Sequence, residues 1–328
     1  MKSARKILRQ IFTIYIFYSY FLASCNQKEI DNTSTKSETT TNDIFAIDTF
    51  DAIDTPTEID NDINTNNTDT INKDTIETDN DTSDTIFTND TSNMVFVPAG
   101  KFLRGCNNDV DIECGSYPNE SPGAQIDLDS FYIDRTEVTA NAYAICINAG
   151  YCTALKSAGF CNWEIAEKGN HPMNCVTQSE SEAYCTWAGK RLPTEAEWEK
   201  AARGTDGRTY PWGEEIASCN YAVMDDGGNG CGADSTMPVG SKPAGVSPYG
   251  ALDMSGNVWE WTADWYDSSY YVSSPSRNPT GPNFGSERVK RGGSFYSLRE
   301  SDLRASVRRN WFNSPDFETG FRCAIPVH

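Results

Sequence analysis

The chain has 328 residues, and 47 acidic side chains against 27 basic ones leave a net charge of −20. An acidic excess of that size repels phosphate backbones, which excludes nucleic acid as a partner. The only histidines, His171 and His328, are too few for a histidine-rich metal centre.

Lys2, Arg5, Lys6 and Arg9 precede an apolar stretch over residues 11–23, shorter than the ~20 residues a membrane-spanning helix needs. The stretch ends in Leu22-Ala23-Ser24-Cys25, which resembles the lipobox of bacterial lipoprotein precursors, where small residues admit the signal peptidase and the thiol takes a diacylglycerol. A signal peptide over residues 1–24 and a lipidated Cys25 are therefore expected, with the membrane as a partner through the anchor. Asn26 stands where an Asp would favour inner-membrane retention, so the expected location is the outer membrane of a Gram-negative envelope.

Residues 25–93 form the next compositional unit. From Asn26 on, Asp, Asn, Thr and Ser dominate, and 17 carboxylates face 3 lysines. One-signed charge with little apolar surface cannot offset chain entropy, so a disordered, self-repelling spacer is expected. Its Asp-Thr steps (Asp54-Thr55, Asp69-Thr70, Asp74-Thr75, Asp84-Thr85) read as low complexity. Carboxylates scattered on a flexible chain make no calcium cage.

Residues 94–328 are long enough for one domain with its own core. Ten cysteines remain there once Cys25 is set aside. In an oxidising compartment an even number without C-x-x-C spacing implies disulfides. Residues 94–97 read as a strand turning at Gly100, with 101–105 as its hairpin partner, and 131–134 as another strand. Thr139 caps a helix over 140–149, stopped by Gly150. Ser179 with Glu182, and Thr194 with Glu197, make capping boxes for helices ending at Gly189 and Gly204. Short strands are expected at 258–261, 289–292 and 320–325 among glycine- and proline-rich loops. The expected class is α+β with little regular structure.

The run Ala183-Tyr184-Cys185-Thr186-Trp187-Ala188-Gly189-Lys190-Arg191-Leu192-Pro193-Thr194-Glu195-Ala196-Glu197-Trp198-Glu199 resembles the sulfatase-modifying-factor family, whose founding activity is formylglycine generation. Other motifs of that family follow in order: Val97-Pro98-Ala99-Gly100, Glu137-Val138-Thr139, Tyr210-Pro211-Trp212-Gly213, Pro248-Tyr249-Gly250, Asp253-Met254-Ser255-Gly256-Asn257-Val258-Trp259-Glu260-Trp261, Arg291-Gly292-Gly293-Ser294 and Gly320-Phe321-Arg322-Cys323. The resemblance covers residues 94–325 and implies a compact fold related to C-type lectins. It implies a Cys185–Cys323 disulfide. The other eight cysteines of the domain allow 105 connectivities, of which local pairing, Cys106–Cys114, Cys146–Cys152, Cys161–Cys175 and Cys219–Cys231, is expected.

The resemblance also implies a structural Ca²⁺ held by Asp253, Gly256, Val258 and Glu260. Two hard carboxylates with backbone carbonyls of alternate residues suit that ion. A second family site would begin at Asn220 and the Tyr221 carbonyl, with Asp225 or Asp226 as candidate further ligands. Trp198 is expected in the core. Arg191, Arg288, Arg291, Arg304, Arg308 and Arg309 either line a groove for an acidic ligand or, more in keeping with a net-acidic domain, pair with structural carboxylates.

The catalytic positions of the resemblance are incomplete. Family enzymes carry two cysteines, five residues apart just after Gly-Gly-Ser, which bind substrate or Cu(I) as soft thiolates. Here those positions read Ser297 and Asp302, and a nearby tyrosine position reads Ser301, whereas Trp259 and Ser294 are retained. No copper is expected, since hard oxygens do not replace thiolates for Cu(I). The iron-dependent sulfoxide synthases related to the family need a histidine triad that this sequence lacks. The expected function is a noncatalytic binding or scaffold lipoprotein, taking a peptide, protein or glycan in a groove near Trp259 and Ser294. The alternative is a divergent formylglycine-family oxidoreductase acting on an exported sulfatase or another protein.

Overall fold

A computed structural model describes residues 91–154 and 159–327; the expected signal peptide, Cys25 and nearly all of the acidic spacer lie outside the described residues. The class is α+β, as the composition implied. Chain order gives β1 (Met94–Val97), β2 (Gly100–Arg104), β3 (Ala124–Leu128), β4 (Phe131–Asp134), α1 (Ala140–Asn148), α2 (Gln178–Trp187), α3 (Glu195–Arg203), β5 (Trp259–Trp265), β6 (Arg288–Arg291), β7 (Arg308–Trp311), β8 (Thr319–Gly320) and β9 (Ala324–Pro326), with single-turn helices between them. The strands form sheets of order β1-β4-β9, β2-β3 and β7-β6-β5-β8.

The first expected hairpin does not form. β1 pairs with β4, Val95 opposite Ile133, and β2 pairs with β3, Phe102 opposite Ile126. The reason is Pro98: its ring fixes a negative φ, which the tight primed turns of two-residue hairpins do not accept. Gly100, at φ +126°, instead redirects the chain into a separate sheet.

Capping sets the helices. Thr139 Oγ1 accepts the Ala142 N–H, and the Thr194–Glu197 box is complete in both directions. The box before α2 lies two residues earlier than expected: Thr177 caps the Glu180 N–H, and the Glu180 carboxylate accepts from Thr177 N and Oγ1, both at 2.8 Å. The sequence holds two overlapping boxes. The earlier one forms, and Ser179 is left at the surface accepting from Asn313.

α3 is the centre of the domain. Trp198, Ala201 and Ala202 pack with Val97, Phe102, Ile133 and Met254, so Trp198 is a core residue as expected. A second cluster joins Tyr143 of α1, Tyr184 of α2, Trp261 and Phe321, with the Tyr143 and Tyr184 rings stacked at 5.6 Å. α3 also buries Glu195 and Glu199, and arginines of the second half meet them: Arg308 grips Glu195 with two bonds of 2.8 Å, and Arg291 Nη2 reaches Glu199. Arg304 pairs with Glu120 and Asp111, Arg191 with Glu197, and Arg309 with Asp302. Arg288 lies 3.4 Å over the Trp265 ring. These arginines therefore serve structural carboxylates and aromatics. Removing one member of a buried pair strands its partner's charge, at a cost of about 3–5 kcal/mol.

The segment expected as one strand over 320–325 is broken. Gly320 pairs in parallel with Glu260, whereas Ala324 pairs with Ile133 in another sheet. Between them Phe321, Arg322 and Cys323 cross from sheet to sheet, and the Cys323 N–H donates to Asp134 Oδ2. Cys323 is bonded to Cys185 of α2, and the local pairs Cys106–Cys114, Cys146–Cys152, Cys161–Cys175 and Cys219–Cys231 are also formed. Every cysteine among the described residues is in a disulfide.

Candidate binding cleft and acidic loop

Two neighbouring features are built from the motif between Asp253 and Trp261. The first is a tight loop. Asp253, Gly256 and Asn257 have φ of +56°, +83° and +62°, a region that Gly enters freely and Asn and Asp more readily than other residues. At Gly256 no side chain fits, since a Cβ would lie 2.5 Å from the Val223 carbonyl oxygen. Asn257 fixes the loop: its Oδ1 accepts from Met237 N at 3.0 Å, and its Nδ2 donates to Glu137 Oε1 at 3.0 Å.

Glu260, fully buried, leaves this loop into β5. Arg322 donates to it twice, at 2.7 and 2.6 Å, and Trp198 Nε1 donates at 2.8 Å. The same guanidinium bonds the carbonyls of Asp134, Arg135 and Leu252, so one side chain ties the loop to the end of β4. Asp253 accepts the Gly240 N–H. Burial raises its pKa above the ordinary carboxylate range, against the lowering effect of that N–H and of Arg322. Glu137 is raised well above that range, by burial first and by the Asp253 charge second. Its Oε2 is buried without a hydrogen-bond partner.

Asp253 and Glu260 offer hard oxygens, the donor type that a divalent cation takes. Glu260 is already satisfied by Arg322 and Trp198, and Gly256 and Val258 stand between the two expected carboxylate ligands in sequence. The second expected set is not assembled in the same way. Asp225 Oδ1 accepts from Gly228 N, and Asp226 Oδ2 accepts from Cys219 N. The Tyr221 carbonyl lies against Gly245, where a Cβ would come within 2.0 Å of its oxygen, and Asn220 is exposed. Each carboxylate is occupied in its own turn rather than turned to a shared centre.

The second feature is a cleft of about 640 Å³ bordered by Trp259, Lys290, Arg309, Trp311, Phe312 and Glu318. Lys290 Nζ lies 4.4 Å from the Trp311 ring centre and 5.7 Å from that of Trp259, and bonds Asp316 at 2.7 Å. Burial alone would raise Asp316, but Lys290 outweighs it and the carboxyl is held below its ordinary range. Trp311 is 41% exposed and Phe312 63%, an open aromatic wall.

Ser294 is fully buried beside the cleft rather than lining it. Its Oγ donates to Glu318 Oε2, and its N–H donates to Ser297 Oγ at 3.0 Å. Glu318 is raised mainly by burial, which the Ser294 bond partly offsets. The turn depends on Gly293, at φ +79°, where a Cβ would meet Leu303 at 2.5 Å. Ser297 is thus a turn residue, Asp302 is ion-paired with Arg309 at 2.6 Å, and Ser301 Oγ meets the Tyr117 hydroxyl at 3.0 Å. Sequence reasoning missed Glu137, Arg322, Lys290, Trp311 and Glu318. Glu137 and Arg322 stand inside motifs already singled out; the other three carry no local signal.

Loops turned by glycines, three small sheets and an aromatic cleft beside a Gly-Gly-Ser turn define a fold shared with PvdO from Pseudomonas aeruginosa. That structure is 27% identical with a TM-score of 0.61, over 71% of this chain and 94% of the other. The formylglycine-generating enzyme of Thermomonospora curvata is 35% identical over 288 residues, 70% of this chain and 92% of the enzyme. The serine/threonine-protein kinase pkn1 of Chlamydia caviae is 37% identical over 257 residues, which is 71% of this chain but only 38% of the kinase. The profile described as "Sulfatase-modifying factor enzyme 1-like domain" matches residues 81–327. The chain belongs to that family.

Proposed function

We propose that this chain is a lipid-anchored envelope protein that binds a peptide, protein or glycan in the cleft over Trp259 and does not make formylglycine. The observation that carries the reading is the state of the thiols. The family's chemistry needs a cysteine free to bind Cu(I) or the substrate thiol. All ten cysteines of the described residues are in disulfides, and the two relevant positions hold Ser297 in a turn and Asp302 in an ion pair. Both offer hard oxygens, which suit Ca²⁺ rather than Cu(I). Trp259 is retained as a wall of the cleft and Ser294 as a support of its floor through Glu318.

Ca²⁺ is the cofactor of this reading, in a structural role. Asp253 and Glu260 with the Gly256 and Val258 carbonyls would hold it, and it would supply the positive charge that the buried carboxylates lack. The anchor is Cys25, and the acidic residues after it are a spacer between membrane and domain.

The test incubates calcium-loaded protein and Cu(I) under air with a Cys-x-Pro-x-Arg peptide and measures aldehyde by mass spectrometry. No aldehyde is expected. Copper-dependent turnover by the unmodified protein would overturn the reading in favour of a divergent oxidoreductase.

A further inference from the structure

The charges and ring faces of the cleft over Trp259 narrow the chemistry of what it binds. Both cations of its lining are paired within the protein. Lys290 Nζ donates to Asp316 Oδ2 at 2.7 Å and to Thr319 Oγ1 at 3.2 Å, and Arg309 Nη2 donates to Asp302 Oδ1 at 2.6 Å. A polyanion would meet no unpaired cation there, and the net charge of −20 repels it. A cationic ligand is disfavoured as well. The aromatic faces that would cradle it already hold Lys290, 4.4 Å from the Trp311 centre and 5.7 Å from that of Trp259. The other carboxylates of the lining have donors of their own, Glu318 from Ser294 Oγ and Glu287 from Asn310 Nδ2 at 2.8 Å.

An added peptide strand is obstructed at the edge of β7. The Arg308 carbonyl accepts from Asn119 Nδ2 at 3.1 Å, and Arg308 Nη1 donates back to the Asn119 carbonyl. The strand therefore does not present a clear row of backbone groups for pairing.

What remains open is aromatic and uncharged, and it extends past the cleft. Phe317, which lines it, lies 6.0 Å from the Tyr296 ring and 5.4 Å from that of Phe160, each 47% exposed. Asn174 is fully buried and donates to the carbonyls of both Phe160 and Phe317, at 3.0 and 2.6 Å. The rings are thus set before a ligand arrives, which lowers the ordering cost of association. Sugar rings present apolar C–H faces that lie on such aromatics. Their hydroxyls suit planar groups with bonding capacity left over, here Asn310 and Glu287.

We propose that the cleft binds a neutral polysaccharide chain, with sugar rings stacked on Trp311 and Phe312 and the chain continuing over Phe317 toward Tyr296 and Phe160. This rests on the binding reading above and names the class of ligand.

The test titrates full-length protein with gluco-, manno-, xylo- and chito-oligosaccharides two and six sugars long, with polygalacturonate as the charged control. At least one neutral series should bind, the six-sugar member roughly tenfold tighter than the two-sugar one. Trp311→Ala should weaken binding roughly ten- to thirtyfold. Phe312→Ala, at a more exposed ring, carries the same test if the first variant melts lower. Tyr296→Ala should weaken the six-sugar ligand far more than the two-sugar one, whereas a merely structural role would lower both alike. Equal affinity for the two lengths, binding unmoved by Trp311→Ala and Phe312→Ala, or tighter binding of polygalacturonate would overturn the inference. If no sugar binds but arrayed peptides do, and Trp311→Ala abolishes that, the inference falls and the cleft reading stands. If neither sugars nor peptides bind, both fall.

Discussion

Asp264 offers a stability test whose size follows from its surroundings. Its side chain is buried on β5, and its Oδ2 accepts the N–H of Glu195 at 2.7 Å, at the first turn of α3. A helix N-terminus favours a carboxylate, but burial, and then the Glu195 charge, push this one up to about 8. The folded state therefore holds a proton that the unfolded chain releases near pH 4. Stability from this group is complete below pH 4 and is lost as pH rises toward 8. Asp264→Asn keeps an oxygen for the Glu195 N–H and removes the ionisation. At about 1.4 kcal/mol for each tenfold in proton affinity, its advantage over wild type should grow by about 3–4 kcal/mol between pH 5 and pH 8.5. Urea unfolding at four pH values across that window measures it, with the pH-independent offset between the proteins set aside. An offset that stays constant with pH would refute the reasoning.

Replacing Cys185 and Cys323 together by alanine opens a link between residues 138 apart in sequence. In the chain-entropy model this costs about 4–5 kcal/mol, read as a lower urea midpoint, and an unchanged midpoint would count against it. In cells, Cys25→Ser should abolish palmitate labelling and membrane partition; labelling that survives the change would sink the anchor.

The parts of the fold that were legible in sequence are those set by local chemistry. Thr139, Thr194 and Gly150 mark helix ends because capping and left-handed backbone are decided within a few residues. The nearest cysteines pair because short loops close easily. Strand partners were not legible: whether residues 94–97 pair with 101–105 or with 131–134 depends on contacts far along the chain, and Pro98 was the one local sign against the hairpin. The loop from Asp253 to Glu260 came from a contiguous motif, but Glu137, 116 residues upstream of Asp253, meets that loop through Asn257 and shows itself only as an unsatisfied oxygen. The same holds for the cleft, since Lys290 and Trp311 meet only because β6 and β7 are paired.

The crossing segment from Thr319 to Pro326 has a consequence for synthesis. It supplies β8 beside β5, β9 beside β4, the guanidinium that neutralises Glu260 and the sulfur bonded to α2. Everything it fastens precedes it in the chain. A growing polypeptide thus carries Glu260 and Cys185 without Arg322 and Cys323 until these residues arrive. Folding of the domain is thereby deferred to its final stretch, and an early stop anywhere before Thr319 yields a chain with an uncompensated buried acid and an open thiol. Such products expose an acid and a thiol that the folded domain buries, so the late segment acts as a check on completeness.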